Sequence, residues 1–216
     1  MLNEILQQLE PTRTKLIAVS KTHPAERVME LYQLGQRRFG ENRVQELTAK
    51  YEALPKDIEW HLIGHLQTNK VKYIAPFVAC IQSVDSLKLL EEIDRQASKH
   101  DRVIDCLLQF HIAEEETKFG LDEAEADALL QSAEFHTMQH VRITGVMGMA
   151  TFSDNPTQVR REFQHLKRIF EDLKKRFFAA QESFREISMG MSGDYQLAVE
   201  EGSTMVRVGT LLFGAR

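Results

Sequence analysis

The chain has 216 residues, 43% of them hydrophobic and 27% charged, with a formal net charge of −5. That length suits one core, and the mild acidity gives no electrostatic reason to expect a nucleic-acid partner or an anionic membrane surface. No apolar run approaches the ~20 residues that a membrane helix needs.

The first segment, MLNEILQQLEP, is acidic and amphipathic. It lacks the basic-then-apolar order of a secretory signal, so a cytoplasmic protein is expected. Cys80 and Cys106 each lie in an apolar segment and are expected as buried free thiols, with a disulfide between them as the alternative. No linker-like or low-complexity stretch interrupts the chain, which is read as one domain over 1–216.

Short apolar or β-branched runs then recur along the chain. They fall at 15–20 (KLIAVS), 36–40 (QRRFG), 59–64 (EWHLIG) and 80–84 (CIQSV). Four more follow at 105–112 (DCLLQFHI), 141–147 (VRITGVM), 185–189 (REISM) and 205–211 (MVRVGTL). Helical spacing fills the gaps. Pro24 opens one such helix and Gly35 closes it after Leu31 and Leu34. Another places Val159, Phe163, Leu166, Phe170, Leu173 and Phe177 on one stripe, with Arg, Lys and Glu opposite. Strands alternating with helices predict parallel βαβ units, and eight of them predict an α/β fold, a single-domain (β/α)8 TIM barrel. The structural rival is a doubly wound open sheet. That fold usually carries a glycine-rich first turn, and the first turn here, AVSKTHP, has no glycine.

Functional side chains of such barrels cluster where the strands end. Lys21 ends the first strand, Glu41 and Asn42 follow the second, and His61 and Gly64 end the third. Met147 ends the sixth, Ser188 and Ser192 lie at and beyond the seventh, and Arg207, Gly209 and Thr210 lie in and after the eighth. A lysine near an apolar wall has a lowered pKa and can condense with a carbonyl; the bland alternative is a lysine snorkelling from a strand end. In GMSGDYQLAVEEGS, Ser192 reads as the N-cap of a short helix and Gly202 as the residue after its end, a start suited to an anion. The N–H groups of Gly209 and Thr210 would close a second side of the cradle, unless the pair is an ordinary turn. Arg207 is either an inward-facing ligand group or half of a buried ion pair. Taken together, an amine, an anion cradle and an inward arginine describe a pyridoxal 5′-phosphate site.

At these residues the chain closely resembles the pyridoxal phosphate homeostasis proteins, the YggS family. The matching stretches are AVSKTHP, FGENRVQE (39–46), WHLIGHLQTNK (60–70), KFG (118–120), GVMGM (145–149), SMGMSGD (188–194) and GSTMVRVGTLLFG (202–214). They run in order along nearly the whole length. The resemblance implies a barrel like the amino-terminal domain of alanine racemase. It implies Lys21 as the Schiff-base lysine, Arg207 as partner of the ring nitrogen, and Ser192, Gly209, Thr210 and Ser188 as phosphate contacts. Asn42, His61 and Met147 would flank the ring. The implied role is intracellular balance of the cofactor, as carrier or buffer, without catalytic turnover and with no catalytic residue assigned. Alanine racemase adds a second domain whose tyrosine serves as the opposing base. The four tyrosines here, Tyr32, Tyr51, Tyr73 and Tyr195, fall in helical stretches and none follows a strand end, and the sequence ends at Arg216 with FGAR, so no second domain of that kind is expected.

A monomeric carrier with acceptor apoenzymes as partners is therefore the first expectation. A weak racemase or lyase is the second, and an interaction scaffold with a vestigial site the third. Other signals are weaker. His61 and His65 are four apart but span a strand end, and no metal site is expected. His136 and His140 fall at a helix end, and Glu114–Glu116 read as a solvated loop. Acidic residues interrupt the basic pairs at 160–161, 167–168 and 174–176, which reads as a solvated helix face rather than a nucleic-acid stripe.

Overall fold

The computed structural model describes residues 1–114 and 119–214. Lys118 of the KFG motif, Glu115 and Glu116 of the acidic run, and the terminal Ala215 and Arg216 lie outside them. Eight strands form: β1 Lys15–Val19, β2 Arg38–Glu41, β3 Glu59–Leu62, β4 Cys80–Val84, β5 Ile104–Phe110, β6 Val141–Gly148, β7 Glu186–Ser188 and β8 Met205–Val208. All pair in parallel with their chain neighbours, and β8 returns to β1, so the sheet closes into a TIM barrel. The open-sheet alternative is excluded by that last pairing. Parallel strands covered on both faces read as continuous apolar runs, which is why the eight segments were legible.

Several strand ends differ from expectation, among them that of β3, which stops at Leu62 short of Gly64. Gln36 precedes β2 instead of opening it, because its buried amide donates to the carbonyls of Leu16 and Arg38 at 2.9 and 2.6 Å. Beyond β5 the chain leaves the sheet at His111. Beyond β8, residues Thr210–Phe213 coil into a helical turn, with the N–H groups of Leu212 and Phe213 donating to the Gly209 carbonyl.

Helices fill the outer layer. In the helix Ala25–Gln33, Pro24 stands at the N-cap, and Gly35 follows the end with φ +99°. The long helix Pro156–Arg176 starts where Asn155 accepts from the N–H groups of Thr157 and Gln158. It buries Val159, Phe163, Leu166, Ile169 and Leu173. Its basic face is engaged in ion pairs: Arg160 reaches Glu200 and Glu201, and Arg176 reaches Asp127 and Asp172. Cys80 and Cys106 are both buried and free, as expected of a chain without a disulfide. Among the described residues, no helix is long and apolar enough to cross a membrane.

Along each strand, alternate side chains point into the barrel. Met205 and Arg207 therefore enter the interior while Val206 and Val208 face the helices. By the same parity Cys80 and Gln82 enter from β4, and Ser188 and Glu186 from β7. The axis of this barrel is partly polar, a feature that positions the site.

Candidate functional site at the carboxyl mouth

A cavity of about 550 Å³ opens where the strands end. Six of the nine expected residues line it: Lys21, Asn42, Ser192, Arg207, Gly209 and Thr210. They come from the ends of β1, β2, β7 and β8, brought together by closure of the barrel.

Lys21 sits in a four-residue turn. The His23 N–H donates to the Ser20 carbonyl at 3.1 Å, and Thr22 takes a left-handed φ of 67°. A β-branched residue pays for that conformation with strain, on the order of 1 kcal/mol or more. The Thr22 N–H is held in compensation by Glu46 at 2.7 Å. The root of the turn is fixed from behind. Ser20 is fully buried, donates its hydroxyl to Glu41 at 2.6 Å, and accepts from Lys50 at its carbonyl at 2.7 Å. Glu41 and Lys50 form a buried ion pair at 2.5 Å. Burial raises the Glu41 carboxyl despite Lys50, and its second oxygen has no hydrogen-bond partner. The lysine that ends an apolar strand is thus carried on a turn anchored to a buried charge pair.

Arg207 forms the floor. It is 4% exposed, and its guanidinium donates to Ser188 Oγ at 2.6 Å and to the Gly148 carbonyl at 2.9 Å. Both partners are neutral, and among the described residues no carboxylate forms an ion pair with it. The buried ion pair weighed from sequence is not what holds this arginine. Burial lowers its pKa to about 10, with Asp194 opposing, so it stays cationic at neutral pH.

The cradle is built differently from the expected one. Asp194, not Ser192, stands at the N-cap of the helix Tyr195–Glu200, and its carboxylate accepts from the Met191 N–H at 2.5 Å. The Ser192 hydroxyl instead accepts from the Gly209 N–H at 3.2 Å, tying the β7 loop to the β8 loop. Gly202 does follow the helix end, with φ +93°. Thr210 opens its own helical turn, so its N–H has no carbonyl partner within that turn. Two glycines make the close approaches possible. A Cβ at Gly64 would lie 2.4 Å from the Asn42 carbonyl oxygen, and one at Gly190, where φ is +95°, would lie 2.5 Å from the Ala198 Cβ.

The other three expected residues lie below the mouth. Met147 is fully buried with Cys80 and Leu107, under Met149, which does line the cavity. Ser188 is fully buried behind Arg207. His61 faces a second cavity, of about 410 Å³, at the opposite end of the barrel. Ile63, two residues further along and on the same parity, takes the mouth position that His61 was expected to hold. His61 is buried, and desolvation followed by Arg38 and Lys15 pulls its pKa down to about 3. His65 is at the mouth, paired with Asp85 at 3.1 Å and stacked on Phe119. The two histidines weighed as a metal pair thus face different cavities.

Sequence reasoning missed several lining residues, notably His23, Gln109, Gly193 and the loop from Thr151 to Asp154. The signal for that loop was its place just after GVMGM, at the end of a strand. None of the four tyrosines lines the cavity.

Residues 2–216 match the model of the family described as alanine racemase, N-terminal domain. The chain belongs to that family. Within it, the chain is 42% identical over 205 residues to the pyridoxal phosphate homeostasis protein of Aquifex aeolicus, covering 94% of this chain and 87% of that one. It is 36% identical over 220 residues to the human pyridoxal phosphate homeostasis protein, covering 97% and 79%. The solved structure of PipY from Synechococcus elongatus with pyridoxal phosphate bound superposes with a TM-score of 0.88 at 40% identity, covering 99% of this chain and 98% of that one. The family member described here therefore groups with the pyridoxal phosphate homeostasis proteins. Alanine racemase from Bartonella henselae shares the fold at a TM-score of 0.74 and 17% identity, with 98% of this chain and 59% of that chain covered.

Proposed function

We propose that this protein binds pyridoxal 5′-phosphate at the carboxyl mouth, covalently through Lys21, and works as a carrier or buffer in intracellular cofactor balance. The observation that carries the reading is Arg207: a buried cation with neutral partners, on the floor of the cavity that Lys21 enters from the rim. The bound cofactor supplies an aldehyde that condenses with a primary amine, with release of water.

In this reading Lys21 supplies the amine, and its anchored turn holds it at the rim. Arg207 would hold the pyridine nitrogen by a donated hydrogen bond. Because the guanidinium keeps its proton, a nitrogen held there would stay unprotonated, a state that favours holding the cofactor over withdrawing electrons into it. The Ser192 hydroxyl and the Thr210 N–H would hold the phosphate, Gly209 would leave room for it, and Asn42 would flank the ring. Met147, Ser188 and His61 support this wall from behind. The whole of 1–216 acts as one binding domain, as a cytoplasmic monomer, handing cofactor to apo forms of pyridoxal-phosphate enzymes. Absence of turnover is supported by the tyrosines, none of which offers a base opposite Lys21.

The test is the visible spectrum of the purified protein with pyridoxal phosphate, before and after borohydride reduction, followed by peptide mapping. A yellow band that reduction locks onto Lys21, and that Lys21→Ala abolishes, is the expected result. No band, or adducts scattered over surface lysines, would overturn the assignment. Sustained amino-acid racemisation by the purified protein would overturn the carrier role.

A further inference from the structure

Behind Arg207 runs a file of buried polar side chains. Arg207 Nη1 donates to Ser188 Oγ at 2.6 Å, and Ser188 Oγ donates to Gln82 Oε1 at 2.6 Å. Gln82 Nε2 then meets His61 Nδ1 at 2.9 Å, and also donates to Met205 Sδ at 3.0 Å. Ser188 and Gln82 are fully enclosed, and His61 and Arg207 nearly so. These groups come from β8, β7, β4 and β3, so the file crosses the interior of the barrel from the floor of the mouth to the opposite cavity.

The chemistry gives the file one direction. A guanidinium has donors and no acceptor, so the Ser188 oxygen must accept from it. The serine hydrogen is then directed at the Gln82 carbonyl oxygen. That leaves the Gln82 amide nitrogen facing the histidine, where it needs a lone pair. His61 must therefore be unprotonated at Nδ1 and carry its hydrogen at Nε2. Burial, which holds this imidazole neutral, agrees. In this arrangement each link sets one donor against one acceptor, and the second hydrogen of the Gln82 amide meets Met205 Sδ.

We propose that Gln82 and Ser188, anchored on neutral His61, are positioning residues that aim the Arg207 guanidinium at the ring nitrogen of the bound cofactor. This rests on the reading of the site given above. A barrel core that only needed filling would use apolar side chains at these inward positions, because a buried amide left without partners is costly. Here the amide is fully engaged, and the one thing its file presents to the cavity is the arginine.

The test compares wild type, Gln82→Leu and Ser188→Ala for binding of pyridoxal phosphate and of its 1-deaza analogue, in which the ring nitrogen is replaced by C–H. Affinity is read by titration of the absorption band, and folding of each variant by circular dichroism. Wild type is expected to prefer pyridoxal phosphate by about tenfold, the worth of one good hydrogen bond. Each variant is expected to lose about that factor for pyridoxal phosphate while binding the analogue within about twofold of wild type. Ser188→Thr, which keeps the hydroxyl, is expected to restore the preference. If Gln82→Leu does not fold, Ser188→Ala with its threonine rescue carries the comparison alone. Equal losses for both ligands, or no loss for either, would overturn the inference while leaving the site intact. Wild-type protein that takes up neither ligand would overturn the site reading, and the inference with it.

Discussion

Strand-borne cations enter this barrel at both ends, and the arginines at the two ends are held differently. At the amino end, Arg38 lies opposite Glu59 in strand register and pairs with it at 2.9 Å, and Arg142 pairs with its register partner Asp105 at 2.7 Å. Lys15 meets Glu186 at 2.5 Å. Each of these cations is answered by a carboxylate on another strand. At the carboxyl end, Arg207 is buried with its hydrogen bonds on neutral oxygens. The difference teaches that a charge count does not locate a site. What marks the site is a cation that the fold keeps buried with its hydrogen bonds on neutral groups, at a cost that a ligand can offset.

Three changes would break or sharpen that contrast. The largest effect is expected behind the carboxyl mouth, from Lys50→Met. It removes the ammonium that pairs with the buried Glu41 carboxylate and donates to the Ser20 carbonyl, leaving Glu41 without an opposite charge, and is expected to cost about 3–5 kcal/mol in urea unfolding. A loss within experimental error would mean that the buried pair is not what anchors the Lys21 turn.

The next concerns acid. The folded pKa of His61 lies near 3 against an ordinary value of 6.5, so below pH 6.5 the unfolded chain takes up this proton and the folded chain does not. Stability from this group is fully present above pH 6.5 and falls by about 1.4 kcal/mol per pH unit down to about pH 3. Glu41 acts in the opposite sense: its carboxyl is raised, so the folded protein binds that proton more readily and acid relieves its burial. His61→Asn, whose amide oxygen accepts from Gln82, isolates the histidine. Urea midpoints at pH 7 and pH 5 should converge in the variant relative to wild type, and an unchanged slope would show that His61 does not resist protonation.

The smallest effect is expected at the amino end. Arg38→Ala removes a half-exposed pair and is expected to cost no more than about 1 kcal/mol, with cofactor affinity unchanged. A marked loss of affinity would show that the two ends are coupled through more than the His61 file.

Much of this was legible in the residues themselves. Lys21 and Arg207 stood out as polar exceptions in otherwise apolar strands, and AVSKTHP signalled its turn through the proline at the start of the next helix. Other residues were misplaced for definable reasons. His61 has the inward parity expected of a site residue, yet parity says nothing about height along the barrel axis. Ser192 looked like a helix cap because serine suits that position, but Asp194 stands there, and the serine hydroxyl was drawn to a loop 17 residues away in the chain. The loop from Thr151 to Asp154 carries no motif, and only its position over the mouth makes it part of the site.

By itself, the sequence determined the number and order of the strands, their parallel sense, and the amine that ends the first. Those features depend on local periodicity and on residue chemistry, which the chain writes out directly. Tertiary structure alone decided which inward residues share a level and which loops meet over the mouth. Strand stagger and closure accumulate around the whole ring, so the partnership of Arg207, Ser188, Gln82 and His61 exists only once β8 has returned to β1.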